Sequence, residues 1–245
     1  EEVEAAVIER VPLWNDRRDD HGPFDVIGDV HGCCDEVESL LRKLGYETVQ
    51  CDGQDPGWGG RSFRHPEGRK AVFLGDLVDR GPRVLDTIKL VRNMVEQGNA
   101  LCVPGNHDMK FMRALRGKNV QVKYGLAESL AEIEVLPDER RGQFARAAAD
   151  WLDTLVSHYV LDDGRLVVAH AGMKEEMQGR GSGRVREFAL YGETTGETDE
   201  FGLPVRCNWA AEYRGRATVV YGHTPVPEPQ WLNRTANIDT GCVFG

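Results

Sequence analysis

The sequence predicts an α/β fold, and two observations lead to this prediction. Short apolar segments of strand length alternate with longer segments whose apolar residues recur with the period of a helix. The strand-length segments end in turns rich in glycine, Asp, Asn and His, and ligands in α/β folds collect at such strand ends. With 40% hydrophobic and 29% charged residues in 245, the chain is typical of globular proteins, and wholesale disorder is excluded.

Strands and helices alternate in the first half of the chain. A helix is predicted from about Cys34, because apolar residues recur at intervals of three and four up to Leu44. A second helix is predicted from about Pro82, since proline suits the first turn of a helix. Strands are predicted before, between and after these helices, at residues 24–27, 71–74 and 101–103.

The second half contains a helical insertion, predicted over about residues 109–158, followed by strands at 166–169 and 218–221. Residues 1–22 are polar without a period and end at a Gly-Pro pair, so we predict a leader or linker there. One domain is then predicted over residues 23–245. Because the chain begins with Glu and ends just after an apolar stretch, we expect it to be a module of a longer protein.

Charge, hydropathy and cysteine spacing exclude several classes of protein. The net charge of −10 argues against a bulk electrostatic nucleic-acid binder, although local basic grooves remain compatible with it. No apolar run reaches the ~18–20 residues of a membrane span, and the acidic first ten residues do not form a signal peptide. The six cysteines contain no CxxC pair, so reduced thiols in a cytoplasmic protein are the simplest interpretation.

Five apolar strands lead directly into polar turns. These turns are Gly28-Asp29-Val30-His31-Gly32, Gly75-Asp76-Leu77-Val78-Asp79-Arg80-Gly81, Gly105-Asn106-His107-Asp108, His170-Ala171-Gly172 and Gly222-His223-Thr224-Pro225. Imidazole and carboxylate groups without thiolate suit Mn²⁺, Fe²⁺, Zn²⁺ or Ni²⁺. The five turns supply too many of these groups for one ion, and the set suits two ions ~3.5–4 Å apart. A lone Asp after a strand is usually a helix N-cap, but five such turns in one chain favour a metal centre.

The order GDVHG, GDLVDRG, GNHD, HAG, GH resembles the calcineurin-like metallophosphoesterases, in the branch with phosphoprotein phosphatases and diadenosine tetraphosphatases. This resemblance covers residues 24–245 and implies a two-sheet α/β sandwich with the metals at one edge. Closer still, PLW at residues 12–14, GDVHGCCDE and YGHTPVPEPQWLNRTANIDTGCVFG resemble the central phosphatase module of bacterial polynucleotide kinase-phosphatase. That resemblance implies RNA 3′ ends as substrate, flanking kinase and ligase modules, no membrane partner and a homodimer in the full-length protein.

The resemblance also implies roles for residues that match the motifs. Asp29, His31 and Asp76 would hold one ion, with Asp76 bridging to a second ion. Asn106, His170 and His223 would complete the second ion's ligands. Asp79 would orient His107, which could protonate the leaving alkoxide, and Arg80 would bind phosphate oxygens with its planar fork.

The implied cofactor is a pair of divalent ions, with Mn²⁺ as the first choice and Ni²⁺, Fe²⁺ or Zn²⁺ as alternatives. Two such ions would neutralise the phosphoryl oxygens and supply a bridging hydroxide for in-line attack.

Two further features are candidates for substrate binding and support. Arg180, Arg184 and Arg186 lie among glycines after the His170 turn and could contact phosphate or an RNA backbone, or form a solvated surface loop. Asp239 could orient one of the metal-ligating side chains, or it could simply stabilise a turn.

The sequence therefore predicts a binuclear metallophosphoesterase that removes 2′,3′-cyclic phosphates and 2′- or 3′-monophosphates from RNA ends before ligation. A protein Ser/Thr phosphatase and a dinucleoside polyphosphate hydrolase are alternatives on the same core. A non-enzymatic RNA-binding scaffold is less favoured, because the ligand set is complete and His107 is retained.

Overall fold

Two β-sheets packed face to face form the centre of the molecule, and helices cover both outer faces. The structure is a computed structural model that describes residues 13–51, 58–198 and 204–245. Its strands are β1 (Asp16–Arg17), β2 (Phe24–Ile27), β3 (Glu47–Cys51), β4 (Gly60–Arg64), β5 (Lys70–Phe73), β6 (Ala100–Cys102), β7 (His158–Leu161), β8 (Leu166–Ala169), β9 (Thr194–Thr198), β10 (Pro204–Arg206), β11 (Thr218–Tyr221), β12 (Gln230–Leu232) and β13 (Thr235–Asn237). Its helices are α1 (Cys34–Lys43), α2 (Val84–Glu96), α3 (Asn106–Leu115), α4 (Leu126–Glu134), α5 (Asp138–Thr154), α6 (Gly183–Tyr191) and α7 (Trp209–Glu212).

The smaller sheet is parallel and contains three strands in the order β2-β5-β6. Helix α1 lies between β2 and β5 in the chain, and α2 lies between β5 and β6, as parallel pairing requires. Acidic residues in the first turn of α1 (Asp35 and Glu36) and basic residues in its last turn suit the helix dipole. Since all three strands run the same way, the turns that follow them meet at one edge of the sheet.

The larger sheet contains six strands in the order β1-β7-β8-β11-β13-β12. Strands β8, β11 and β13 are parallel to one another, while β7 and β12 run antiparallel to their neighbours β8 and β13. The three central strands therefore also end at one common edge. Two separate hairpins, β3-β4 and β9-β10, complete the strands of the described residues.

A layer of apolar side chains joins the two sheets. It comprises Val72, Leu74, Leu101 and Val103 from the smaller sheet side and Tyr159, Leu161, Val168, Val220 and Ala236 from the larger. A second cluster packs helices α1 to α5 on the smaller sheet, and a third packs α6 and α7 on the larger sheet. This arrangement confirms the predicted two-sheet α/β sandwich.

Two predicted segments can be located in this fold. Helices α3, α4 and α5 occupy most of the region predicted as a helical insertion at 109–158, and His158 already begins β7. Within the segment predicted as a leader, residues 1–12 lie outside the described part of the chain. Asp16–Arg17 pairs with β7 and therefore forms an edge of the larger sheet.

The six cysteines all lie in described segments and are free thiols. Within the described residues, we find no helix whose length and apolar character would suit a membrane span.

Candidate metal centre and active site

The carboxyl ends of both sheets bring the predicted polar turns together. Turns after β2, β5 and β6 come from the smaller sheet, and turns after β8 and β11 come from the larger. Glycines in these turns allow the close approach that the cluster needs. A Cβ on Gly105 would overlap the Asp76 carboxylate, and one on Gly222 would overlap the Asp29 carboxylate. These two positions therefore require glycine for steric reasons.

The carboxylate of Asp76 lies between two imidazoles from different sheets. Its Oδ2 is 3.7 Å from Nε2 of His31 and 3.6 Å from Nε2 of His170. Its Oδ1 accepts a hydrogen bond of 2.9 Å from the backbone N–H of His107, which fixes the plane of the carboxylate. A carboxylate in this position can bridge two ions.

Backbone carbonyls orient the imidazoles that face Asp76. Nδ1 of His31 donates to the carbonyl of Val78 at 2.9 Å, and Nδ1 of His170 donates to the carbonyl of Leu74 at 2.9 Å. Since a carbonyl only accepts, the proton lies on Nδ1, and Nε2 of each ring is left with its lone pair. Burial lowers the pKa of His31 to about 4 and also lowers that of His170, so both rings are neutral at pH 7, as a metal ligand must be.

The second group of donors surrounds His170. Its Nε2 lies 3.1 Å from Oδ1 of Asn106 and 3.0 Å from Nδ1 of His223. Asp29 lies behind this group, where both of its oxygens accept the backbone N–H of His223 at 3.2 Å. Several lone pairs from Asn106, His170, His223 and Asp76 therefore converge on one region.

The chemistry of this donor set fits two divalent cations. Two trios have donor atoms within 4.8 Å of one another, namely His31, Asp76 and His107, and Asp76, His170 and His223. Asp76 belongs to both. Burial, together with the nearby carboxylates of Asp76 and Asp239, raises the pKa of Asp29 well above its usual value. Divalent cations would favour the ionised form of these crowded carboxylates.

His107 belongs to a chain of hydrogen bonds that leads away from the metal donors. Its Nδ1 lies 2.6 Å from Oδ2 of Asp79, and the Ser129 hydroxyl donates to the other Asp79 oxygen at 2.6 Å. Arg80 places Nη1 2.6 Å from Nε2 of His31 and Nη2 3.2 Å from Nε2 of His107. Arg80 and His107 therefore face the same region, where a phosphate could lie.

All nine residues predicted as metal ligands or catalytic groups meet at this edge, although Asp29 belongs to neither trio. The predicted basic loop does not join them. Arg180 and Arg184 are exposed, and Arg186 contacts the carbonyl of Leu155 and the sulfur of Met109. Among the residues that the structure describes, none of these three arginines forms a hydrogen bond or ion pair with the cluster, and their substrate role stays a prediction.

Asp239 stabilises a turn, and its role in orienting a metal ligand stays a prediction. Its Oδ1 accepts the backbone N–H of Gly241 at 3.0 Å, which stabilises the turn. The residue is also buried, and its side chain flanks Gly222 on the same side as Asp29. Its carboxylate therefore contributes to the negative charge behind the second group of donors.

Three residues at the site have no role in the sequence-based prediction. Arg206 contacts Nε2 of His223, and Ser129 holds Asp79. Asp108 accepts the backbone N–H groups of Leu77 and Gly105, both at 2.8 Å, and so ties two turns together. Asp108 could have been found from its position in the GNHD turn. Arg206 and Ser129 lie outside the glycine-containing turns, so no local signal indicates them.

Comparison with known proteins places this centre in a family. Residues 22–227 match the family model of the calcineurin-like phosphoesterases. The chain belongs to that family. Such phosphoesterases typically depend on two metal ions, which agrees with the two groups of donors around Asp76. The prediction that the chain is a calcineurin-like metallophosphoesterase, and therefore an enzyme, is confirmed.

This phosphoesterase is similar over most of its length to proteins whose names state a substrate. Over 222 residues it is 45% identical to the asymmetrical bis(5′-nucleosyl)-tetraphosphatase PrpE of Geobacillus sp. (strain WCH70), covering 91% of this chain and 86% of that protein. It is 46% identical to PrpE of Bacillus subtilis (strain 168), covering 91% and 87%. A crystal structure of a candidate diadenosine tetraphosphatase has the same fold, with a TM-score of 0.61 and 23% identity over 94% of this chain and 88% of that one.

These relatives correct the sequence-based function. The prediction of RNA end healing is wrong, because the curated relatives at 45–46% identity are dinucleoside tetraphosphatases. The closer resemblance to polynucleotide kinase-phosphatase is likewise not supported. That resemblance rested on a few short stretches in addition to the shared metal-binding turns, whereas the similarity to the tetraphosphatases extends over 222 residues. The dinucleoside polyphosphate alternative is the one that the relatives favour.

Proposed function

We propose that this phosphoesterase hydrolyses dinucleoside tetraphosphates asymmetrically, giving one nucleoside monophosphate and one nucleoside triphosphate. The observation that carries this proposal is the 45–46% identity, over 91% of the chain, to two proteins named as asymmetrical tetraphosphatases. The similarity extends over nearly the whole length of both chains, so it includes segments outside the metal-binding turns. The proposal therefore goes beyond what the family alone implies.

The charges around the centre suit a long polyanionic substrate. Arg80 lies beside His31 and His107, while Arg206 lies beside His223 and donates to the carbonyl of Tyr191 at 2.8 Å. The two guanidinium groups thus flank the donor cluster from different sides. Each can bind two oxygens of a phosphate through its planar fork, so neighbouring phosphates of one chain could be held together.

We propose Mn²⁺ as the resident ion at both positions. The donors are imidazole nitrogens and carboxylate or amide oxygens, and no cysteine sulfur takes part, which suits Mn²⁺ better than a structural zinc site. When bound, the two ions would neutralise phosphate charge and lower the pKa of a water molecule between them. Asp76 would be shared by both ions, with His31 on one side and His170 and His223 on the other.

Asp79 keeps His107 oriented for proton transfer to the leaving group. With Nδ1 held by Asp79, Nε2 of His107 faces the phosphate region beside Arg80. In the proposed reaction the water oxygen bonds to phosphorus and the bridging P–O bond breaks. The triphosphate leaves with the electron pair, and His107 would donate its proton to the leaving oxygen.

A comparison of substrates tests the proposal. The protein should be assayed with Mn²⁺ on diadenosine tetraphosphate, a phosphoserine peptide and an RNA with a 2′,3′-cyclic end, with products separated by ion-exchange chromatography. We expect the highest kcat/KM on diadenosine tetraphosphate, with AMP and ATP in equal amounts, and loss of this activity with a chelator. A higher kcat/KM on the phosphopeptide, or ADP as the sole product, would contradict it.

A further inference from the structure

A cavity of about 230 Å³ opens beside the second group of donors and has no role in the chemistry described above. It shares His223 and Arg206 with the metal centre. Its other walls come from the end of α6, the start of α7 and the end of β11, and include Tyr191, Glu193, Asn208 and Trp209. Aromatic, carboxamide and carboxylate groups therefore surround a space that opens onto the catalytic edge.

We propose that this cavity binds one nucleoside of the substrate, the one whose own phosphate is attacked. This inference rests on the proposed function and adds which half of a dinucleoside tetraphosphate is recognised, and where. The cavity is smaller than the ~300–1,000 Å³ typical of sites for drug-sized ligands, so it suits one nucleoside and not the whole substrate.

Tyr191 is the side chain best placed to flank a base. It ends α6 at the cavity wall and remains 44% exposed, so part of its side chain is free for contact. Trp209 also lines the cavity, but its ring is buried against Phe188 and Tyr213 and serves the core. Nucleic-acid bases of every type stack favourably on exposed aromatic rings.

Glu193 supplies an acceptor suited to the ribose. Its Oε2 accepts from Nζ of Lys174 at 2.7 Å, so the carboxylate is held in place and part of its charge is compensated. A carboxylate beside a nucleotide pocket can accept hydrogen bonds from ribose hydroxyls. The compensating lysine also reduces repulsion between Glu193 and the phosphates.

The position of His223 determines which phosphate reaches the centre. Its ring lines the cavity, and its Nδ1 is only 3.0 Å from Nε2 of His170. The His223 ring thus lies between the cavity and His170. A nucleoside in the cavity would therefore place its first phosphate, attached directly to the ribose, at the centre, with Arg206 beside it. The second phosphate would lie beyond the reacting one, in the leaving group.

This placement predicts the bond that is formed and the bond that is broken. The water oxygen would bond to the α-phosphorus of the nucleoside in the cavity. The bond from that phosphorus to the oxygen bridging to the next phosphate would break, and the nucleoside triphosphate would leave with the electron pair. Hydrolysis in ¹⁸O-water should therefore label the monophosphate. Label in the triphosphate would overturn the assignment, because attack would then occur at the β-phosphorus.

Substitution of Tyr191 tests the cavity directly. Tyr191→Ala should raise KM for diadenosine tetraphosphate and lower its kcat/KM relative to that for p-nitrophenyl phosphate by about tenfold, while Tyr191→Phe should keep the wild-type ratio. Trp14→Ala is a matched control, since Trp14 is 88% exposed and does not line this cavity. Activity on p-nitrophenyl phosphate shows in each case that the protein is folded.

The outcomes separate the two proposals. If the wild type hydrolyses p-nitrophenyl phosphate but not diadenosine tetraphosphate, the proposed function fails, and the inference fails with it. If the wild type hydrolyses the tetraphosphate and Tyr191→Ala has an unchanged KM, only the cavity assignment is overturned.

Discussion

Asp76 is shared by both groups of donors and lies in the turn that follows β5, the middle strand of the smaller sheet. Asp76→Ala should remove productive binding of both ions, because among the described residues Asp76 is the carboxylate that both donor trios share. We expect turnover of diadenosine tetraphosphate to be nearly abolished and fewer than two ions per chain by elemental analysis. Asp150→Ala is a suitable control, since Asp150 is exposed and pairs only with Arg116 among the described residues. Two ions still bound to Asp76→Ala would contradict the bridging role.

His107 can be distinguished from a metal ligand by the leaving group. A triphosphate leaves readily because its charge is spread over several phosphates, whereas an alkyl alkoxide is a poor leaving group that needs a proton. His107→Asn should therefore lose activity on an alkyl phosphate by about 10²-fold or more, and lose much less on diadenosine tetraphosphate. The ratio of the two kcat/KM values measures this.

The number of ions bound per chain also tests whether His107 is a metal ligand. His107 lies in one of the donor trios, with His31 and Asp76, so a role as ligand is a real alternative. His223→Asn should affect both substrates alike, because it removes a donor from the second ion. Equal losses on both substrates for His107→Asn, together with a lower metal content, would show that His107 is a ligand.

At the scale of residues, sequence motifs indicate the donor side chains but not the residues that hold those side chains in place. His31, Asp76 and His223 all have positive φ angles, of 45°, 46° and 72°, and each adjoins or closely follows a glycine in a polar turn. Such turns can be recognised locally. Ser129 reaches the site from α4 and Arg206 from the end of β10, both far along the chain from their partners Asp79 and His223, and contacts between distant segments leave no local pattern.

Helix α4 contacts the catalytic edge through the side chain of Ser129. Ser129 lies on α4, where its hydroxyl donates to Asp79 and accepts the Asp79 backbone N–H at 3.1 Å. Ser129→Ala should leave one oxygen of buried Asp79 without its partner and loosen the orientation of His107. We expect kcat to fall about tenfold or more on an alkyl phosphate, with a smaller loss on p-nitrophenyl phosphate. Ser39→Ala, an exposed serine on α1, is the control, and equal losses on both substrates would argue against a role through His107.

Strand β7 begins with a buried histidine that makes stability depend on pH. His158 accepts the backbone N–H of Gly179 on Nε2 at 2.9 Å, and burial lowers its pKa to about 4. Because the unfolded chain binds this proton more tightly, the stabilisation is present above pH 6.5 and is lost as pH falls towards 4. Between pH 7 and pH 5 this histidine should lower the free energy of unfolding by about 2 kcal/mol.

Urea denaturation of the wild type and of His158→Gln at both pH values measures this contribution. The variant should be less stable at pH 7 but should lose about 2 kcal/mol less than the wild type between pH 7 and pH 5. An identical pH dependence in both proteins would mean that His158 does not titrate as its burial indicates.

At the scale of elements, length determines what the sequence could predict. Helices α1, α2 and α5 have 10, 13 and 17 residues, and their apolar periodicity is readable. Strand β1 has two residues, and β12 and β13 have three each, too few to show a period. Strand β1 also joins the sheet through backbone pairing with β7, about 140 residues later in the chain, so the sequence predicts a leader where the structure has an edge strand.

The whole molecule explains why the family could be predicted and the substrate could not. The polar turns that carry the candidate metal donors sit at the edge where both sheets end, and these turns are the motifs from which the family was predicted. Substrate contacts come from the outer walls, such as the cavity between α6, α7 and β11. Those walls are built from side chains with many possible roles, so only similarity over the whole chain favours one substrate over another.

Because the donors come from both sheets, binding of ions should stabilise the sandwich as a whole. Asp29, His31, Asp76 and Asn106 follow strands of the smaller sheet, and His170 and His223 follow strands of the larger. An ion that binds only the folded state at 100 times its Kd stabilises it by about 2.7 kcal/mol. For a chain of this size, that corresponds to a rise in Tm of roughly 5–10 °C.

Thermal unfolding over a series of Mn²⁺ concentrations should therefore give a Tm that rises with the logarithm of free Mn²⁺. The rise should be absent in Asp76→Ala and reduced in His223→Asn, which removes one donor from the larger sheet. Asp150→Ala should follow the wild type. A Tm independent of Mn²⁺ in the wild type would show that the six donors do not act together in the folded protein, and an equal rise in Asp76→Ala would place the ion elsewhere on the molecule.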